Sequence, residues 1–149
     1  MSNATTSRRA TVTCPVCDAL NRVDLERLSD APRCGECGRS LHLDRPQALS
    51  EASLDRIVAE TDVPVVIDFY ADWCGPCRFM APIVDALALE RAGAVLVGKL
   101  DTDRYPAAAA RFGVRGIPTL IVFSGGREVA RQVGAVPRSA LDALLGSPS

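Results

Sequence analysis

Hydrophobic positions are spread in two styles along this chain. Before residue 45 they stand singly among charges and cysteines, and after it they gather into runs separated by helix-periodic stretches. Residues 63–70 form a nearly continuous apolar run, the pattern of a strand covered on both faces. Residues 94–100 form a second such run. Between the two, residues 76–90 carry helical spacing, and Pro82 in the interior predicts a kink. Residues 50–60 read as a helix with Ser50 as N-cap and Leu54, Ile57 and Val58 on one face. Residues 105–112 are a short alanine-rich helix that Gly113 stops. Residues 119–123 and 128–133 read as a hairpin turned by Ser124-Gly125-Gly126, and residues 138–145 as a final helix. Strands alternating with helices, then a hairpin, predict an α/β fold with a mixed central sheet flanked by helices on both faces.

The leading third follows other rules. Residues 1–10 are polar and read as a disordered tail. Residues 11–44 hold four cysteines, many charges and few large apolar side chains, too little core to fold without a metal or another staple. The composition changes at Arg45-Pro46, where a linker is expected before a domain over residues 46–149.

Charge and cysteine usage narrow the function. The 17 basic and 18 acidic residues nearly balance, and residues 1–45 carry seven basic against six acidic, so no basic footprint for nucleic acid exists. No stretch approaches the ~18 uninterrupted apolar residues of a membrane span. Two arginines near the N-terminus are not followed by an apolar segment, so no secretory signal is read and a cytoplasmic location is expected. All six cysteines fall in Cys-x-x-Cys pairs, which in a reducing compartment are metal or redox sites.

Cys14-Pro15-Val16-Cys17 and Cys34-Gly35-Glu36-Cys37 are separated by 16 residues, the spacing of a four-cysteine zinc ribbon. Four thiolates around one Zn²⁺ per chain make a closed structural site. Two disulfides or a four-cysteine iron site are the alternatives. His42, the single histidine, lies in the alternating stretch Leu41-His42-Leu43 and reads as a surface strand residue or a substitute ligand.

The third pair, in Trp73-Cys74-Gly75-Pro76-Cys77, sits between strand and helix. A helix N-terminus favours a thiolate, so Cys74 is the expected nucleophile. Cys77, one turn on and expected to be more buried, would resolve the mixed disulfide. Pro76 stiffens the turn, and Trp73 offers a flat apolar surface. Asp68 interrupts the first apolar strand. Buried there, it must pair or stay protonated, and a raised pKa would suit it to take the proton of Cys77; an outward-facing edge position is the alternative. Lys99, the only lysine, lies on the next strand, near Asp68 or solvated at the strand end. Pro118 begins a strand after Gly116-Ile117 and is either cis and facing Cys74 or a simple trans turn residue.

Taken together, Asp68-Phe69-Tyr70-Ala71, Trp73-Cys74-Gly75-Pro76-Cys77, Pro82, Lys99, Gly116-Ile117-Pro118-Thr119 and Val133-Gly134-Ala135 resemble thioredoxin, in order and spacing. The N-terminal cysteines resemble the zinc ribbon of the second bacterial type. The resemblance implies a dithiol reductant of protein disulfides, recharged by thioredoxin reductase and NADPH and expected to be monomeric. It implies Asp68 as the buried acid, Lys99 as its partner and Pro118 as a cis-proline. It also implies a substrate groove of Trp73, Gly75, Pro76, Ile117, Gly134 and Ala135. Tyr70 departs from it, since many members carry tryptophan there. Two other readings stand beside it: a binding module whose ribbon docks a partner, and an oxidase or isomerase, against which the Gly-Pro between the cysteines argues.

Overall fold

In chain order the computed structural model, which describes residues 8–146, begins with a hairpin of β1 (Arg9–Thr13) and β2 (Leu20–Asp24). Its antiparallel register runs from Arg9 beside Asp24 to Thr13 beside Leu20. A 3-10 turn over Leu25–Asp30 follows, and Asp24 caps it by accepting the Glu26 N–H at 2.9 Å. The expected disordered tail is therefore corrected in part. Residues 1–7 lie outside the described residues, but Arg9 and Ala10 belong to β1, and Ala10 is fully buried.

A five-stranded sheet holds the rest: β3 (Gln47–Ala48), β4 (Val65–Tyr70), β5 (Leu96–Asp101), β6 (Thr119–Ser124) and β7 (Arg127–Val133). Spatial order is β3-β5-β4-β6-β7, with β5 parallel to both neighbours and β6 and β7 antiparallel. The helices are α1 (Glu51–Glu60), α2 (Gly75–Glu90), α3 (Pro106–Arg111) and α4 (Arg138–Leu145). One sheet face packs Ile67, Phe69 and Leu100 against Leu54 and Ile57 of α1 and Ala108 of α3. The other packs Val66, Val97 and Leu120 against Met80, Val84 and Leu87 of α2 and Leu141 of α4. Burial on both sides explains why the central strands read as unbroken apolar runs. The second run starts later than expected, at Leu96, because residues 91–94 form a turn. Pro82 lies inside α2, which continues to Glu90.

Local chemistry sets several boundaries. At the start of α1, Ser53 N–H donates to Ser50 Oγ and Ser50 N–H to Ser53 Oγ, both at 3.3 Å, a reciprocal cap. β3 follows the expected linker almost at once. It is two residues long, and Leu49 just beyond it lies against Gly98 of β5. A Cβ on Gly98 would stand 2.5 Å from Leu49 Cδ1 and 2.9 Å from its Cγ, so only glycine admits this approach.

The N-terminal hairpin is docked onto the sheet domain. Ala10, Val12, Leu41 and Leu43 share one hydrophobic cluster with Leu54 and Ile57. Thr11 N–H donates to Thr61 Oγ1 (3.2 Å) and Arg9 N–H to Asp62 Oδ2 (2.8 Å), while Arg9 O accepts from Asp62 N–H (2.8 Å). The Arg22 guanidinium donates to the Glu60 carbonyl, one of the free acceptors at the end of α1. The segment that lacks a core of its own borrows one. Leu41-His42-Leu43 buries both leucines and exposes His42, but it makes no strand ladder, and Leu43 already belongs to a turn.

Candidate functional site

Cys74 ends the loop after β4 and is the N-cap of α2. Its Sγ accepts the Cys77 N–H at 3.2 Å, and Pro76 takes one of the first two helical positions, where a missing N–H costs nothing. Cys74 and Cys77 form a disulfide, with Cα atoms 5.2 Å apart. Both are nearly enclosed, at 4% and 5% exposure, in a small cluster with Ala71, Tyr70 and Ile117. The expected difference in burial between them is absent, because the closed ring holds both sulfurs in that cluster. The Ile117–Pro118 peptide is cis, and the Ile117 carbonyl oxygen lies 3.7 Å from Cys74 Sγ. The Pro118 carbonyl accepts the Gly134 N–H at 2.8 Å, and Gly134 takes a positive φ of 91° that favours glycine. These contacts bring the loops of Ile117 and Gly134 together on the cystine side. Trp73 is 65% exposed, Gly75, Pro76 and Ala135 are exposed, and Ile117 and Gly134 are half-buried.

Asp68 is in the middle of β4, 1% exposed, and neither carboxyl oxygen has a hydrogen-bonding partner in the protein. Burial pushes its pKa up to about 6, and the charge of Lys99 opposes the rise only in part. Lys99 stands beside Asp68 in the parallel register of β4 and β5, as expected. Its ammonium, however, lies 4.4 Å from the centroid of the Tyr70 ring, and no ion pair joins it to Asp68.

At the other end of the chain, Cys14, Cys17, Cys34 and Cys37 bring their sulfurs within 4.8 Å of one another. Cys14 and Cys37 Sγ are 3.6 Å apart, as are Cys17 and Cys34 Sγ. A tetrahedral ion with ~2.3 Å metal–sulfur bonds sets its ligands about 3.8 Å apart, so the four sulfurs fit one. Backbone N–H groups of Val16 and Glu36 point at Cys14 and Cys34 Sγ, each at 3.4 Å, and the Asn21 amide adds a second donor to Cys34 at 3.4 Å. Cys34 is held down to about 6 by the Cys37 N–H, the Asn21 amide and the Glu36 N–H. The N–H groups of Cys17 and Val16 lower Cys14. Cys17 goes the other way, to about 12. The Ala19 N–H favours its thiolate, but desolvation and the other three thiols outweigh it. His42 lies outside this group.

Comparison with known proteins covers both regions of the chain. Residues 45–147 match the thioredoxin family, and residues 13–39 match the family described as Thioredoxin 2, N-terminal. The chain belongs to the thioredoxin family, in its zinc-ribbon type. Thioredoxin C-3 of Corynebacterium nephridii is 40% identical over 125 residues, 84% of this chain and 86% of the relative. Thioredoxin of Synechocystis sp. is 46% identical over 97 residues, 65% of this chain and 91% of the relative. Among solved structures, a mutant thioredoxin from Halobacterium salinarum NRC-1 superposes with a TM-score of 0.65 at 39% identity, covering 70% of this chain and 91% of that one.

As a thioredoxin this chain is a protein-disulfide oxidoreductase, and the Cys74–Cys77 disulfide is the one cystine among its described residues. The fold adds residues that pattern reading did not single out. Trp73 Nε1–H donates to Asp103 Oδ2 at 2.8 Å, which fixes the exposed indole beside the cystine. Arg78 donates to the Asp72 carbonyl at 2.9 Å and braces the same loop. Asn21 clasps the ribbon: its Oδ1 accepts the Gly35 N–H at 2.9 Å while its amide reaches Cys34. Only Asp103, in the acidic run Asp101-Thr102-Asp103, left a trace, and nothing in that run names its partner. Among the described residues no helix is long and apolar enough to cross a membrane.

Proposed function

We propose that this protein is a cytosolic, monomeric thioredoxin that reduces protein disulfides and is recharged by a thioredoxin reductase, with one structural zinc ion in its ribbon. The observation that carries this reading is the cystine at the N-terminus of α2, facing the Ile117 carbonyl 3.7 Å from Cys74 Sγ. In the reduced protein the Cys74 thiolate attacks one sulfur of a substrate disulfide. That bond breaks, a Cys74–substrate disulfide forms, and the departing thiolate takes a proton. Cys77 gives its proton to Asp68 and attacks Cys74 Sγ, releasing the second substrate thiolate. Two electrons have moved from the dithiol to the substrate.

Each residue has a task in this scheme. Asp68 can be neutral or charged near neutral pH, so it can accept a proton and pass it on. Trp73, Gly75, Pro76, Ile117, Gly134 and Ala135 form the surface on which an extended substrate segment lies, and Pro118 sets the Ile117 carbonyl toward the sulfur. Cys14, Cys17, Cys34 and Cys37 would hold the zinc. All four positions are filled by thiolates, so the ion supplies rigidity and no catalysis.

The test pairs two experiments. NADPH-coupled reduction of a disulfide-bonded protein, with a thioredoxin reductase, should proceed with the full chain. Cys77→Ser should then accumulate a mixed disulfide with the substrate, and Cys74→Ser should not. Equal trapping by the two variants would overturn the assignment of the nucleophile.

A further inference from the structure

A buried carboxyl serves as a proton carrier only if nothing fixes its charge. A close ammonium would do so, because an opposite charge within ~4–6 Å lowers a carboxyl pKa by about 1–3. The chain's one lysine is in position to be that ammonium. Lys99 is directly beside Asp68 in the parallel β4–β5 register. Tyr70, two residues along β4, shares the Asp68 face and stands diagonally from Lys99. A four-carbon stem can turn its head toward either neighbour, and here it lies over the tyrosine ring at 4.4 Å, well inside cation–π range. Both Asp68 oxygens stay without a protein partner.

We propose that Tyr70 is a positioning residue whose ring face holds the Lys99 ammonium away from Asp68, so that the buried carboxyl remains free to exchange a proton. The inference rests on the proposed role of Asp68 as proton carrier. Among the described residues, Lys99 is the one charge that shifts the buried carboxyl. β6 presents Leu120 beside Asp68, and the apolar cluster there takes Met80 and Val84 from α2, whose Cys77 is in the disulfide. Burial pushes the Tyr70 hydroxyl up, with the charges of Asp101, Asp72 and Asp68 adding to the rise and Arg104 opposing it, so Asp101, Asp72 and Arg104 are the further charges near the ring. Tryptophan at this position would also offer a ring face, so the departure from the family pattern at Tyr70 keeps the device.

The experiment follows the Asp68 carboxyl carbon by NMR through a pH titration of the full-length oxidised protein. Tyr70→Leu removes the ring, so Lys99 turns to Asp68 and its titration midpoint should fall by about one pH unit. Tyr70→Phe keeps the ring face and should titrate as the natural protein does, which also controls for folding. Adding Tyr70→Leu to a Lys99→Met chain should move nothing further. An unchanged or raised midpoint in Tyr70→Leu, an equal fall in Tyr70→Phe, or a fall that persists without Lys99 would each overturn the proposal. The pH dependence of disulfide reduction separates this from the parent reading. If the midpoint falls in Tyr70→Leu and the rate profile does not follow, the positioning role stands and Asp68 is not the proton carrier.

Discussion

The ribbon knuckles and the Cys74–Cys77 segment begin with the same local structure and end in different geometry. In all three Cys-x-x-Cys segments the N–H four residues on returns to the first cysteine carbonyl: Asp18 to Cys14, Gly38 to Cys34 and Arg78 to Cys74. What differs is the conformation at that fourth residue. Asp18 and Gly38 take positive φ values of 64° and 77°, and the chain turns back. Arg78 continues the right-handed helix to Glu90. A knuckle that turns back leaves its two sulfurs projecting from a corner, where they meet another pair. A pair at the head of a helix has no second pair to meet and closes on itself. The residue just after the motif is where the two kinds of segment part.

The largest effects should come from breaking one region and watching the other. Cys34→Ser should drop zinc from about one ion per chain to near none, since a closed site needs all four thiolates. It should also cost on the order of 2–4 kcal/mol of stability, the linkage of an ion bound far above its Kd. That loss should reach the redox domain, because Ala10, Val12, Leu41 and Leu43 share their core with α1. Disulfide reduction per folded molecule should persist. Cys74→Ser should do the reverse, abolishing reduction with zinc content intact. Metal analysis, thermal denaturation and the reduction assay together check the pair. A folded Cys34→Ser protein without reductase-coupled activity would show that the two regions are not separable.

A smaller effect is expected inside the redox region. The folded value of about 6 for Asp68 lies above its ordinary 3.8, so the native state holds that proton more tightly than the unfolded chain. Below pH 3.8 both states are protonated and nothing is lost. As pH rises through about 6 the native state must carry a buried charge, and stability falls. Asp68→Asn removes that cost and should stabilise the oxidised protein by ~1–3 kcal/mol at pH 8, with the gain fading toward pH 4. The variant should also exchange disulfides more slowly near neutrality. Denaturation as a function of pH, with rates alongside, measures both, and a destabilised variant with an unchanged rate profile would make Asp68 a structural residue.

The smallest effect concerns the turn itself. A Cβ on Gly38 would meet nothing within 4 Å, so Gly38→Ala carries only the backbone penalty of its φ of 77°, about 1 kcal/mol. Zinc release to a chromophoric chelator should quicken modestly, while the cystine is untouched. A release rate equal to that of the natural protein would mean the turn conformation does not govern the knuckle.

Pattern reading reached the central elements because burial on both faces writes itself as apolar runs, as in Val65 to Tyr70. It reached Cys74, Cys77 and the ribbon tetrad because spacing alone brings each pair together. It failed where structure depends on a distant partner. β3 is Gln47 and Ala48, too short and too polar to signal a strand, and it exists because β5 offers an edge. β1 does alternate, with Ala10 and Val12 inward, but beside a polar N-terminus it reads as a tail until α1 is in place to cover it. Trp73 and Asp103 are far apart in the chain, and no local rule links them. The ammonium of Lys99 was expected at Asp68, its register neighbour. Only the geometry of the diagonal Tyr70 ring explains where it goes.

The missing side chain at Gly98 has a consequence for how this sheet meets other molecules. β5 would otherwise be an outer strand with open amide and carbonyl groups, a template for a foreign strand. The notch at Gly98 seats Leu49, and Leu49 N–H donates to the Lys99 carbonyl at 2.9 Å. A two-residue strand and one leucine thereby close an edge that a longer segment would have had to cover. Any bulkier residue at position 98 would unseat that plug and expose the open groups of β5 to self-association.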